Sequence, residues 1–483
     1  MFQRDLVEEL ERALEFPWEK WSIFLHPTQR QFVEGDYNGP ARVSGSAGTG
    51  KTIVALHRAV FLARNNPDAR VLLCTFSEML SSMLRIKLRS LINNEPRLAE
   101  RLDVYAMDEI GQRLYALNFS PPKMASLEIL QGLIKEAAAE INDHKFSAHF
   151  LITEWKQIVD AWHLETWEAY RDVRRLGRKT RLPEKQRVVL WAIFERVRTK
   201  LADRKLMTHS DLFSQLTSHL KKGKHLPFEF AIVDEAQDIS VAQLRFLAAL
   251  SGGRRNSLFF AGDLGQRIFQ HPFSWKGLGV DIRGRSRTLR INYRTSHQIR
   301  KQADRLLAPQ LSDVDGNTEE RRGTISVFNG LQPQIQVFDT SEDEIEAVKK
   351  WLLSVALKGV LPHEMGIFVR SDSELSRAKS AVAHAAFCFK VLDEKLESIA
   401  EHVSISTMHR VKGLEFRAVV VMACDDDVVP LQDRIEKVAD DADLEEVYNT
   451  ERHLLYVACT RARDYLLVTG VDPASEFLDD LKE

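Results

Sequence analysis

The sequence predicts an α/β protein made of two parallel-sheet units, with a helical insertion in the first. Three observations predict it. Short, near-continuous apolar runs end in polar or glycine-rich turns, which suits strands buried on both faces of a parallel sheet. Helix-period segments separate them, as in residues 53–64 and 342–357, and that alternation places helices on both faces. The runs also fall into two separate sets, and 483 residues exceed one ordinary core.

In chain order, the first set is Ala41–Ser44, Arg70–Thr75, Phe228–Asp234 and Ser257–Gly262. A helix-rich stretch, residues 112–205, interrupts it. Its Trp155, Trp162, Trp167 and Trp191 read as packing residues, and its basic run over 171–205 reads as a solvated helix face. The second set is Gln334–Phe338, Gly366–Arg370, Val403–Thr407, Arg417–Met422 and Tyr465–Thr469. Residues 308–324 are polar, with Asp-Gly and Arg-Gly turns, and read as irregular. The expected organisation is a first unit over 1–111 and 206–283, its insertion over 112–205, and a second unit over 284–483.

Composition narrows the class. A hydrophobic fraction of 44% with 28% charged residues is that of a soluble globular protein. There is no apolar run long enough for a bilayer, and the acidic, amphipathic first residues lack a signal-peptide core, so a cytoplasmic location is expected. A net charge of −2 speaks against a whole-surface nucleic-acid binder and leaves a local basic groove open. Cys74, Cys388, Cys424 and Cys459 form no C-x-x-C pair, which argues against zinc or iron–sulfur sites. Each lies in an apolar run and is expected to be a buried thiol.

The chemistry begins at Gly45-Ser46-Ala47-Gly48-Thr49-Gly50-Lys51-Thr52, which fits G-x-x-x-x-G-K-[ST] between a strand and a helix. Glycines let backbone N–H groups curl around phosphates at a helix N-terminus. Lys51 would reach the β- and γ-phosphates of ATP, and Thr52 would place its hydroxyl on Mg²⁺. The apolar run ending in Asp234 and Glu235 supplies a second Mg²⁺ ligand in Asp234 and a base for the attacking water in Glu235. Gln266, at the tip after Gly262, would sense the γ-phosphate or that water.

The order of motifs resembles superfamily 1A DNA helicases of the UvrD/Rep/PcrA type, over nearly the whole chain. The residues that carry the resemblance are Leu25–Gln29, Gly45–Thr52, Cys74–Ser77, Asp234–Gln237, Gly262–Gln266, Arg290–Thr295, Ser406–Phe416 and Glu451–Ala462. It implies a P-loop NTPase with two RecA-like domains. Gln29 would read the adenine edge, Tyr293 would stack on the base, and Glu415 would contact the ribose. Arg294 and Arg461 would reach the γ-phosphate from the second unit. Phe76, Phe269, Trp275, Thr407 and His409 match DNA-contacting positions; Phe76 and Phe269 suit core packing as well, and Trp275 stands a few residues late. Only about 110 residues separate Arg294 from Ser406, so most or all of the 2B accessory domain is expected to be missing. The implied activity is ATP-driven 3′→5′ movement along single-stranded or tailed duplex DNA, in replication, repair or defence. The alternatives are an RNA-directed ATPase, or an ATP-binding switch that needs a protein partner such as a nuclease.

Overall fold

The apolar runs of the first set lie in one six-stranded parallel sheet. Its strands are β1 (Ala41–Ser44), β2 (Val71–Thr75), β3 (Leu102–Ala106), β4 (Phe230–Val233), β5 (Leu258–Gly262) and β6 (Ser286–Thr288), in the order β3-β2-β4-β5-β1-β6. The computed structural model describes residues 23–93, 95–141, 144, 146–173, 182–223, 225–263, 266, 273–320, 323–392, 401–436 and 441–482. The two edge strands, β3 and β6, escaped the sequence reading. Edges bury one face or neither, so β3 alternates buried and half-buried residues and β6 is the polar Ser-Arg-Thr.

Helices cover both faces of this sheet. Val54, Leu56, Ile232 and Phe259 pack on one side, and Phe213, Phe246 and Phe260 on the other. The insertion has a core of its own around Trp155, Tyr170, Trp191 and Phe194, and Trp162 and Trp167 pack against it.

The second unit starts with a two-strand parallel pair, β7 (Ile291–Asn292) and β10 (Ile325–Ser326). Between them β8 (Gln310–Ser312) and β9 (Thr318–Glu320) form an antiparallel hairpin, within the segment read as irregular. Its strands are short and polar, so no alternating apolar pattern marks them. The main sheet is parallel, with β11 (Gln334–Phe338), β12 (Met365–Val369), β13 (Cys388–Val391), β14 (His402–Thr407), β15 (Phe416–Val421) and β16 (Ala462–Val471) in the order β11-β16-β15-β12-β14-β13. The central strands are buried, whereas edge strand β11 is largely exposed, unlike the buried strand expected there. Cys388 corrects a second expectation: it is exposed because it opens the other edge strand, β13, while Cys74, Cys424 and Cys459 are buried. Among the described helices none is long and apolar enough to cross a membrane.

The two units, or lobes, meet where the first sheet's strands end. Ala47, in the glycine-rich loop, belongs to the same apolar cluster as Phe416, Leu454 and Tyr456 of the second lobe. Crevices outside the carboxyl ends of parallel strands are where α/β folds bind ligands.

Candidate active site

Strand β1 runs into the glycine loop, and helix α1 (Lys51–Asn65) leaves it. Gly48 and Gly50 have φ of +81° and +83°, a region that penalises any Cβ. Close packing adds a second reason: a Cβ on Gly50 would sit 2.5 Å from Gln29 Nε2, and one on Gly48 would strike the Asn292 amide. Lys51 folds over this loop, donating to the carbonyls of Gly45 at 2.8 Å and Ser46 at 3.0 Å.

At the end of β4, the Thr52 hydroxyl bonds the Asp234 carboxylate, which is pushed up to about 7 by burial and by neighbouring Glu235. Burial works against ionised Glu235 too, yet Lys412, then Lys51, the Gln237 amide and Arg461, hold it below the ordinary carboxylate value. Glu235 takes a left-handed backbone, φ +54°, which turns its side chain into the cleft. An alcohol oxygen beside a carboxylate is a fitting pair of hard donors for Mg²⁺. Among the described residues no cluster of three or more His, Cys, Asp or Glu is placed to cage a metal, so phosphate and water would supply the other ligands.

The second lobe closes the cleft. Gln266 donates from Nε2 to Asp263 at 2.7 Å, and its Oε1 accepts from Arg461 Nη2 at 3.3 Å. Arg461 is buried, which lowers it to about 10 with Arg294 nearby adding to the effect. Arg294 is ion-paired with Glu415. Burial would raise Glu415, but Arg294, then Lys87 and Arg461, hold it down at about 2. The resulting cleft is lined by Gln29, Gly48, Gly50, Lys51, Thr52, Asp234, Glu235, Gln266, Tyr293, Arg294, Glu415 and Arg461. Gly45, Ser46, Ala47 and Thr49 complete the loop behind it.

Two of these residues have partners the sequence did not suggest. The Gln29 amide is engaged at both ends: Nε2 donates to Thr49 O at 2.9 Å and Oε1 accepts from His26 N–H at 3.1 Å. Glu415 holds Arg294 rather than standing free for a sugar. Tyr293 is set firmly: its N–H donates to Gly48 O at 3.0 Å, His26 packs on its ring at 4.8 Å, and Thr28 meets its hydroxyl at 3.3 Å.

Sequence reasoning passed over several groups that shape this cleft. Buried Lys412 donates to Gln266 O at 2.8 Å, pairs with buried Asp238, and stands 3.5 Å from Glu235. Asn292 donates to Ala47 O at 2.7 Å while its Oδ1 accepts the N–H groups of Arg294 and Thr295, both at 2.9 Å. Lys87 lines the pocket from helix α2 (Glu78–Ile92). Lys412 and Asn292 lie inside stretches already singled out; only their position across the lobe boundary gives them a role.

The candidate DNA contacts lie apart from the cleft lining. Phe76 is half-buried just past β2, and Thr407 is buried at the end of β14. His409 sits beside Arg370, at 3.5 Å; burial and that guanidinium lower it to about 4. Trp275 is half-buried, edge-on to Phe260 at 4.8 Å. Phe269 lies outside the described residues.

The family profile described as UvrD/REP helicase N-terminal domain matches residues 25–277, and that of the UvrD-like helicase C-terminal domain matches residues 385–472. Similar curated proteins include a "Probable DNA helicase" of Mycoplasma pneumoniae, 23% identical over 93% of this chain and 84% of its own length. ATP-dependent DNA helicase UvrD2 of Mycobacterium tuberculosis is 23% identical over 76% of this chain and 55% of its own. ATP-dependent DNA helicase PcrA of Staphylococcus epidermidis is 21% identical over 70% of this chain and 46% of its own. The chain thus spans most of the first relative and about half of the other two.

Proposed function

The chain belongs to the UvrD/Rep family of ATP-dependent DNA helicases, and on that premise we propose that it is a single-stranded DNA translocase working 3′→5′. One observation carries the reading: an acidic group of the first lobe and two cations of the second converge on Gln266 in one cleft. Asp263 holds its amide nitrogen, Arg461 its amide oxygen, and Lys412 its backbone carbonyl.

Hydrolysis at this site would use each group for a distinct task. Glu235, kept ionised, accepts the proton of the attacking water. Lys51, Arg294 and Arg461 face charge that develops on the γ-phosphoryl group; arginines in this role are worth on the order of 10³–10⁵ in rate. Thr52 and Asp234 would hold Mg²⁺, which would supply charge neutralisation at the phosphates. Tyr293 offers its ring to the base. Because Arg294 and Arg461 belong to the second lobe and Lys51, Asp234 and Glu235 to the first, a triphosphate between them favours closure and its cleavage favours opening. Phe76, Trp275, Thr407 and His409 would line the strand's path, together with Phe269.

A narrower version has its own support. Between β7 and β10 the described residues form the helix His297–Ala303, the turn Asp304–Leu306 and a hairpin with three residues in each strand, so we assign translocation to the chain alone and duplex unwinding to its complex with a protein partner. ATP turnover with and without single-stranded DNA, and strand displacement on duplexes with 3′ or 5′ tails, test both. Turnover indifferent to DNA would overturn the translocase. Unaided unwinding from a 3′ tail would overturn the partner requirement, and unwinding from 5′ tails alone would overturn the polarity.

A further inference from the structure

The β8–β9 hairpin crosses from one lobe to the other. At its root, Leu306 and Leu307 belong to the second lobe's core. Strands of three residues are too short to stand alone in water, so its attachments decide where it lies. The tip is pre-folded: Asp313 accepts the N–H groups of Asp315 at 3.0 Å and Asn317 at 2.8 Å, and the Asn317 amide at 2.8 Å. Gly316, at φ +80°, makes the turn.

That tip lands on the first lobe at two points. Asp313 pairs with Arg42 of β1 at 3.3 Å. Asp315 accepts from the Ser274 hydroxyl at 2.5 Å and the Lys276 N–H at 3.0 Å. Trp275 stands between those two donors. The Arg42 guanidinium is 5.9 Å from its ring centroid, and Phe260 holds its edge. One carboxylate therefore holds the Ser274 side chain before Trp275 and the backbone N–H after it, and the other fixes the cation near its ring. Phe273, Trp275 and Leu278 seat the apolar side of this turn on the first lobe's core, while Lys276, Gly277 and Gly279 are exposed, so the two carboxylates hold its polar side.

We propose that Asp313 and Asp315 are positioning residues for Trp275, tying its setting in the first lobe to the position of the second. The inference rests on the reading of Trp275 as a base platform on the DNA path. A base stacked on an aromatic ring contributes strongly to strand binding, and a platform on a loose turn loses part of that contribution to ordering. Any shift of the second lobe pulls the hairpin and, through Asp315, the Trp275 turn. Grip on the strand is in this way linked to lobe closure without passing through the nucleotide cleft.

The test uses the full chain with Asp315→Asn and with Asp313→Asn/Asp315→Asn. Amide hydrogen exchange at Lys276 and Gly277 is expected to quicken in both variants. The concentration of oligo-dT giving half-maximal ATPase stimulation is expected to rise about tenfold, while turnover without DNA and at saturating DNA stays within about twofold. In a Trp275→Ala background the added Asp315→Asn change is expected to leave half-saturation where it is. Unchanged exchange, unchanged half-saturation, or full additivity with Trp275→Ala would each overturn the proposal. A wild type indifferent to oligo-dT would overturn the translocase reading itself; the exchange data still report separately whether the carboxylates hold the turn.

Discussion

Replacing Lys412 with Ala removes the cation that joins the lobes at Glu235, the proposed general base. Its Nζ lies 3.5 Å from Glu235 Oε2, with side chains only 4% and 11% exposed. At an effective dielectric of about 20, opposite unit charges at that separation attract by about 5 kcal/mol. Relaxation and entering water take part of this, yet a third of it already exceeds the ~1.4 kcal/mol that changes an ionisation equilibrium tenfold. Burial pushes Glu235 up and Lys412 is the foremost group holding it down. Without Lys412 the carboxyl rises, so the ionised base is lost first on the acid side. The expected result is an acid limb of kcat against pH displaced upward by at least about one unit, with turnover near pH 5 reduced more than turnover near pH 8. Lys412→Arg retains the charge and should keep the limb close to its original place. Steady-state ATPase from acid to mildly alkaline pH, with a melting curve for each variant, is the assay. Parallel profiles for wild type and Lys412→Ala would refute the electrostatic coupling. The melting curve separates this from the cost of leaving buried Asp238 unpaired, about 3–5 kcal/mol.

Other predictions follow from single contacts. Glu235→Gln keeps the shape of the site and removes the proposed proton acceptor; turnover should fall by on the order of 10²–10⁴ with nucleotide binding retained, measured by steady-state turnover and a fluorescent nucleotide. Asn292→Ala frees the Ala47 carbonyl and two N–H groups of the Arg294 segment, and should raise the KM for ATP about tenfold with a smaller loss in kcat. Arg58 is wholly buried, donates to Val33 O, Gly35 O and Asn256 Oδ1, and is surrounded by the rings of Tyr37, Phe61 and Phe259. Arg58→Met should destabilise the first lobe by about 3 kcal/mol, read as a lowered midpoint in thermal melting. His409, held near 4, is neutral at physiological pH, so the ratio of DNA half-saturation between His409→Ala and wild type should stay constant from about pH 6 to 8; a ratio that grows toward pH 6 would contradict it.

The parts legible in the sequence are those whose chemistry demands residue types at set spacings. Backbone that must curl round phosphate needs glycines at Gly45, Gly48 and Gly50, and a buried parallel strand needs the unbroken apolar run before Asp234. Edges are harder: β3, β6 and β13 bury too little to impose a pattern, and exposed Cys388 was misread for that reason. Harder still are contacts set by the meeting of distant segments. Nothing near Lys412 announces that Asp238 and Gln266, well over a hundred residues away, will surround it. The hairpin tip was visible as an Asp-Gly turn, but its landing on Ser274 and Lys276 was not, because polar turn residues look alike whether they face solvent or a partner.

Four cations of the cleft share a feature that bears on coupling. Lys51 is bonded to loop carbonyls, Arg294 to Glu415, Arg461 to Gln266 and backbone, and Lys412 to Asp238 and Gln266. None stands as a bare charge, since a buried cation without acceptors would be costly. On the proposed reading, a triphosphate therefore does not add contacts to an otherwise fixed site; it exchanges them. Phosphate oxygens that draw Arg294 leave Glu415 to seek a new partner, and those that draw Arg461 release Gln266, whose carbonyl also holds Lys412. Because Lys412 touches Glu235, a change at the γ-phosphate side is felt by the base within the same hydrogen-bonded chain. The exchange must roughly balance for hydrolysis to reverse it, which is the condition for a cycle rather than a clamp.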